Sequence, residues 1–251
     1  MSAGAVLAGT PGAPRVMLIH GLAGSYRAWD RVVPFVEPVA RITAVHLGST
    51  RSIEKDADDA AALVDTPTVL VGHSRGGLVA TALAERHPEL VSKLILLCPS
   101  WSVASRRSAG RPIERSLAIP GIGALLWAAA SDARQRAGLQ SAFAAGIAVP
   151  DQFVADLRDR GRGNFVRSSR AIDDYLTTSP LAERLKNLAV DIDLVFGELD
   201  ARVAPPRDEF ATLHHTHLTV LPGVGHTPPW EAPDTVANLI THSLRRTATA
   251  P

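Results

Sequence analysis

The chain has 251 residues, 46% of them apolar, enough for one large domain with a full core. Its formal net charge of +1 argues against binding nucleic acid or a membrane surface by bulk charge. A lone cysteine, Cys98, excludes an intrachain disulfide framework and fits a reducing compartment. The N-terminal MSAGAVLAG has no basic stretch ahead of its small apolar residues, so no signal peptide is expected. No apolar run is long enough to span a bilayer, and the cytoplasm is the expected location.

Six short apolar runs read as strands: RVMLIHG (15–21), RITAVHLG (41–48), TVLVGH (68–73), KLILLCP (93–99), DIDLVFG (191–197) and HLTVLPG (217–223). They are continuous rather than alternating, as in strands covered on both faces. Helical patterns separate them. In SIEKDADDAAALV, Ile53, Ala57, Ala60 and Val64 recur at helical spacing behind an N-capping Ser52. GGLVATALAERHPE must stop before Pro88. In PDTVANLITHSLRR, Val236, Leu239 and Ile240 share a face, and Arg245 and Arg246 suit the C-terminal dipole. Alternating strands and helices predict an α/β fold with a mostly parallel sheet.

The alternation breaks between Trp101 and Asn187. That stretch reads as helices alone: IPGIGALLWAAA, SAFAAGIA, DQFVADLRDRG, SSRAIDDYL and PLAERLKNL. A helical excursion between two strands of one sheet is an insertion. The predicted organisation is a core of residues 1–100 and 188–251 with a helical cap at 101–187, and TATAP at the end frayed.

The chemistry starts at VGHSRGG, where Gly72, His73, Ser74, Arg75 and Gly76 match G-x-S-x-G between a strand and a helix. Such a turn presents the serine hydroxyl clear of the sheet, and the glycines keep side chains out of it. A serine needs a base, and the base needs an orienting group. Asp200 follows one strand in FGELDARV, and His226 follows the last strand in LPGVGHTPPW. All three residues then stand at the carboxyl edge of one sheet, where open α/β folds put their sites. The oxyanion-hole candidates are the N–H of Arg75 and that of Leu22 in HGLAGS.

The blocks LIHGLAGSYRAW, LVGHSRGGLVA, FGELDARVAP and LPGVGHTPPWEAPDTV together resemble the α/β-hydrolase fold superfamily, closest to its small capped esterases and C–C bond hydrolases. The resemblance implies the α/β-hydrolase fold, a Ser74–Asp200–His226 triad, and a cap that shapes the pocket. It implies hydrolysis of a carboxylic ester or lactone of a small, largely apolar substrate through an acyl-enzyme on Ser74. No metal or organic cofactor is implied, and water is the second substrate. The alternatives are C–C cleavage, thioester hydrolysis, or lyase or cyclase chemistry on the same triad, and a ligand receptor on this fold. Three features depart from the family pattern. The N-terminal hairpin reads as degraded, HLGSTRS replaces the usual loop after the second visible strand and is expected to open one side of the site, and Arg75 follows the nucleophile. Arg75 is expected to pair with a cap carboxylate in preference to recognising a substrate carboxylate.

Trp101 and Val203 are the candidate substrate-contacting residues, with a plain core role open for Trp101. Phe143, Phe153, Phe165 and Trp127 fall in the cap, as core or as inner lining. His20 is expected to support the oxyanion loop by hydrogen bonding. Asp191 and Asp193 precede their strand, on the wrong edge of the sheet to replace Asp200. Cys98 reads as a small core residue. HHTH at 214–217 has no neighbouring cysteine or acid in sequence, so metal binding is not expected. The sequence is silent on oligomeric state.

Overall fold

The computed structural model describes residues 4–48, 52–107, 112–206 and 208–248. Seven strands form one sheet: β1 (Gly4–Gly9), β2 (Arg15–Ile19), β3 (Arg41–His46), β4 (Thr68–His73), β5 (Val91–Leu97), β6 (Ile192–Gly197) and β7 (Thr216–Leu221). Their order is β1-β3-β2-β4-β5-β6-β7. Every pairing is parallel except that of β1 with β3.

The continuous apolar runs follow from burial on both faces. Met17 and Ile19 of β2, Leu70 of β4, and Leu94 and Leu96 of β5 enter one core. The residues between them, Val16, Leu18, Val69, Val71, Ile95 and Leu97, enter the other. The first core lies under α2 (Ile53–Ala61) and α3 (Arg75–Arg86). The second lies under α1 (Val33–Val36), Trp29 and the C-terminal helix at Pro233–Ala248. Ser52 caps α2 by accepting from Lys55 N, and α3 ends before Pro88.

Two strand readings need correction. The N-terminal segment was expected to be degraded, yet Gly4–Gly9 pairs with β3 along its whole length. Its side chains are mostly exposed, so backbone pairing at a sheet edge holds it, and its apolar run, Ala5 to Ala8, is only four residues long. The last strand, β7, is also an edge and exposes most of its residues instead of being covered on both faces.

Between β5 and β6 the described chain is helical: α4 (Pro112–Ala118), α5 (Ile122–Ala128), α6 (Asp132–Leu139), α7 (Asp151–Thr178) and α8 (Leu181–Leu185). SAFAAGIA is not a helix. One 3-10 turn at Gln140–Ala142 gives way to irregular chain with Gly146 at φ 87°. DQFVADLRDRG and SSRAIDDYL join into α7, which breaks at Gly161 (φ 71°, ψ 162°). The far part of α7 and α8 pack into the main core through Ile172, Tyr175, Leu176, Leu181 and Leu185. No described helix is long and apolar enough to cross a membrane. After β7 come α9 (Pro228–Glu231) and α10 (Pro233–Ala248). Ser49, Thr50 and Arg51 of the HLGSTRS loop, and the final residues of TATAP, lie outside the described residues.

Candidate active site

β2 borders both β3 and β4, so the chain leaves it in one direction and returns on the other side. The carboxyl ends of β2 and β4 flank this switch point, where open α/β sheets leave a crevice. The loop Gly21–Gly24 follows β2 there, and Ser74 follows β4.

Ser74 has φ 52° and ψ −117°, a conformation costly for a residue with a Cβ. Close packing on either side holds it. A Cβ on Gly72 would lie 2.4 Å from Gly76 O, and one on Gly76 would lie 2.2 Å from Ile19 O. Ser74 N–H donates to Leu97 O at 2.7 Å, anchoring the turn to β5. α3 then begins at Arg75, directing its N-terminus at the turn.

The structure brings Ser74, Asp200 and His226 together. The Ser74 hydroxyl donates to His226 Nε2 at 2.9 Å, and His226 Nδ1–H donates to Asp200 Oδ2 at 2.7 Å. Asp200 Oδ1 accepts from the N–H groups of Arg202 (2.7 Å) and Val203 (2.9 Å). Burial pushes the Asp200 carboxyl up, but His226 and these N–H donors outweigh it and leave the group below its usual 3.8. His73 is buried, which lowers it to about 3, and its Nε2–H donates to His226 O at 2.7 Å. The neutral His73 ring thus fixes the His226 main chain.

Sequence reasoning missed Glu231. Its Oε2 accepts from Gly225 N–H and Ala144 N–H, and its Oε1 from Thr227 N–H, each at 2.9 Å. One carboxylate braces both sides of His226 and ties that loop to the helical segment. The available signal is weak: an acid four residues after the threonine that opens α9, a stretched relative of the capping box.

A cavity of about 70 Å³ opens over Ser74, lined among others by Leu22, Phe143, Phe153, Val203 and His226. Phe143 and Phe153 meet edge to face at 5.2 Å, whereas Trp127 and Phe165 pack on each other outside the lining. Trp101 is corrected here. It does not line this cavity; its Nε1–H donates to Ala204 O at 2.7 Å and its ring packs on the main core. A half-buried indole needs that acceptor, and meeting it turns the ring away.

The partner of Arg75 also differs from expectation. Its buried guanidinium pairs with buried Asp56 on α2, a core helix, not with a carboxylate of the helical segment, and it does not line the cavity. Asp193 lies inside β6, not before it as expected, and pairs with Lys93 at 2.7 Å near the amino end of that strand. Cys98, Asp200 and His226 place possible metal-ligating atoms within 4.8 Å of one another. Asp200 and His226 are bonded to each other, and burial pushes the Cys98 thiol well up, so the set lacks free deprotonated ligands. His215 of HHTH bonds through Nε2 to Leu185 O at 3.1 Å.

The family model described as alpha/beta hydrolase family matches residues 16–239. The chain belongs to the alpha/beta hydrolase family. Among curated relatives, it is 30% identical over 237 residues to pimeloyl-[acyl-carrier protein] methyl ester esterase of Neisseria meningitidis serogroup C, covering 85% of this chain and 87% of that protein. It is 27% identical over 256 residues to the protein of the same name from Yersinia enterocolitica, covering 90% and 91%. A thermophilic esterase from Thermogutta terrifontis superposes with a TM-score of 0.71 at 21% identity, over 98% of this chain and 94% of that one. The last likeness shows the α/β-hydrolase fold.

Proposed function

We propose that this α/β hydrolase cleaves a carboxylic ester through an acyl-enzyme on Ser74. The chain is a carboxylic ester hydrolase of its family, and the residue roles follow from chemistry. His226 Nε2 takes the Ser74 proton as Oγ attacks the carbonyl carbon. The N–H groups of Leu22 and Arg75 receive the oxyanion, and His226 returns the proton to the departing alcohol. Water then repeats the sequence on the acyl-enzyme. Asp200 keeps the His226 proton on Nδ1 and stabilises the cation that forms.

The observation that carries this reading is the unbroken relay Ser74 Oγ–His226–Asp200, at 2.9 and 2.7 Å, opening on a cavity lined in part by Leu22, Phe143, Phe153 and Val203. Residues 101–187 act as the cap, and Val203, Phe143 and Phe153 contact the substrate. The small cavity favours small esters, lactones included, and the relatives add acyl methyl esters to the classes to try. The residues supply base, nucleophile and hole themselves, with water as co-substrate. The single cysteine and the near-neutral charge fit a cytoplasmic enzyme.

The test is hydrolysis of p-nitrophenyl esters from acetate to octanoate, with Ser74→Ala alongside. Turnover by the wild type, highest on short acyl chains and lost in the variant, is expected. Equal rates in both proteins would refute the nucleophile.

A further inference from the structure

One arginine makes three of the bonds that tie the helix over the site to the chain around the end of β2. Arg160, the residue before the α7 break, donates to Gly24 O at 2.9 Å, to Leu47 O, and to His20 Nε2 at 2.8 Å. Leu47 N–H donates to the same ring nitrogen at 3.2 Å. A nitrogen that receives two N–H donors carries no proton, so the His20 proton sits on Nδ1. Nδ1 lies 2.8 Å from Gly21 O and donates to it. Burial, with the Arg160 charge second, holds the His20 ring well below its ordinary pKa and therefore neutral.

Gly21 O and the Leu22 N–H belong to one planar peptide. Holding the carbonyl therefore aims the N–H. Arginine suits the task because its planar fork reaches separate acceptors from Nε and from both terminal nitrogens, which a lysine ammonium cannot match. A second bond, Ser25 Oγ–H to Asp156 at 2.8 Å, joins the same helix to the end of the same loop.

We infer that Arg160 is a positioning residue for the oxyanion hole, selecting the His20 tautomer that pins the Gly21–Leu22 peptide. This rests on the proposed role of the Leu22 N–H. It makes hole geometry depend on the seating of α7, so a helix over the pocket is coupled to the strength of an oxyanion donor.

The experiment compares Arg160→Met, Arg160→Lys and His20→Asn on a p-nitrophenyl ester, with an alkylboronic acid as the tetrahedral mimic. Arg160→Met is expected to lower kcat about tenfold to a hundredfold with KM changed less than about threefold. Boronate affinity should fall by a similar factor, and Arg160→Lys should recover only part of the loss. In His20→Asn the side-chain amide donates without any tautomer to select, so adding Arg160→Met should cost little more. Equal losses in both backgrounds, or an unchanged kcat, would overturn the inference. If the Arg160 variants do not fold, the ring 15N shifts of wild-type His20 decide: an Nδ1–H tautomer supports it, an Nε2–H tautomer overturns it. A wild type inactive on every ester removes the hydrolase reading and this one together. An active wild type insensitive to Arg160 removes only this one.

Discussion

Arg75 follows Ser74, the proposed nucleophile, and its exposure separates structure from recognition. Its side chain is 2% exposed and that of Asp56 is 1% exposed, so neither meets substrate. A buried pair contributes little relative to a well-packed apolar one, but removing one partner strands a charge. Arg75→Met should therefore destabilise the fold by about 3 kcal/mol in urea titration. Arg75→Met with Asp56→Leu should recover most of that, with KM for neutral and anionic esters shifted equally. A large loss confined to anionic esters would return Arg75 to substrate recognition. The same residue scale shows what sequence can reveal. Ser74, Asp200 and His226 each follow a recognisable strand, so their shared edge was legible. Glu231 and Arg160 were not, because most of their bonds go to main-chain atoms, which carry no residue-type signal. Arg160 bonds to His20 across 140 residues, and no local pattern encodes that contact.

At the scale of elements, parallel strands announce themselves because burial on both faces demands unbroken apolar runs. β1 stayed hidden because an exposed edge strand needs only its backbone. α7 looked like two helices because Gly161 interrupts it, and the break is real. Its φ 71° and ψ 162° fall in a region open essentially to glycine alone, while a Cβ there would meet nothing within 4 Å. Space and conformation thus make opposite predictions. In a regular exposed helix Gly→Ala gains up to about 1 kcal/mol; at this break Gly161→Ala should cost about 1–3 kcal/mol. It should also lower kcat, since Arg160 is the adjacent residue. Thermal melts decide by sign, and a higher Tm would mean that the break is not needed.

At the scale of the whole molecule, part of the acid sensitivity sits in two buried histidines beside the site. His73 and His20 are buried and neutral, each with its pKa lowered by burial, His73 to about 3. In the unfolded chain such groups take a proton below about 6.5. The His73 contribution is therefore complete above that pH and is lost as pH falls from about 6.5 toward about 3, and that of His20 is lost in the same direction. Asp200, lowered from 3.8, adds its loss only below that value. Tm should decline steadily on acidification across this window, and His73→Gln, which keeps a donor for His226 O but does not titrate, should show a shallower decline. An identical slope in the variant would contradict a role for His73. The same burial argues against either ring in proton transfer and supports the proposal that His226 is the base beside Ser74.

That claim is tested most directly by treating the protein with an alkyl fluorophosphonate and mapping the adduct by peptide mass spectrometry. A single adduct on Ser74, formed at a rate that Asp200→Asn reduces by orders of magnitude, is the predicted result. Labelling at another residue, or a Ser74 that stays unmodified in the folded protein, would contradict it.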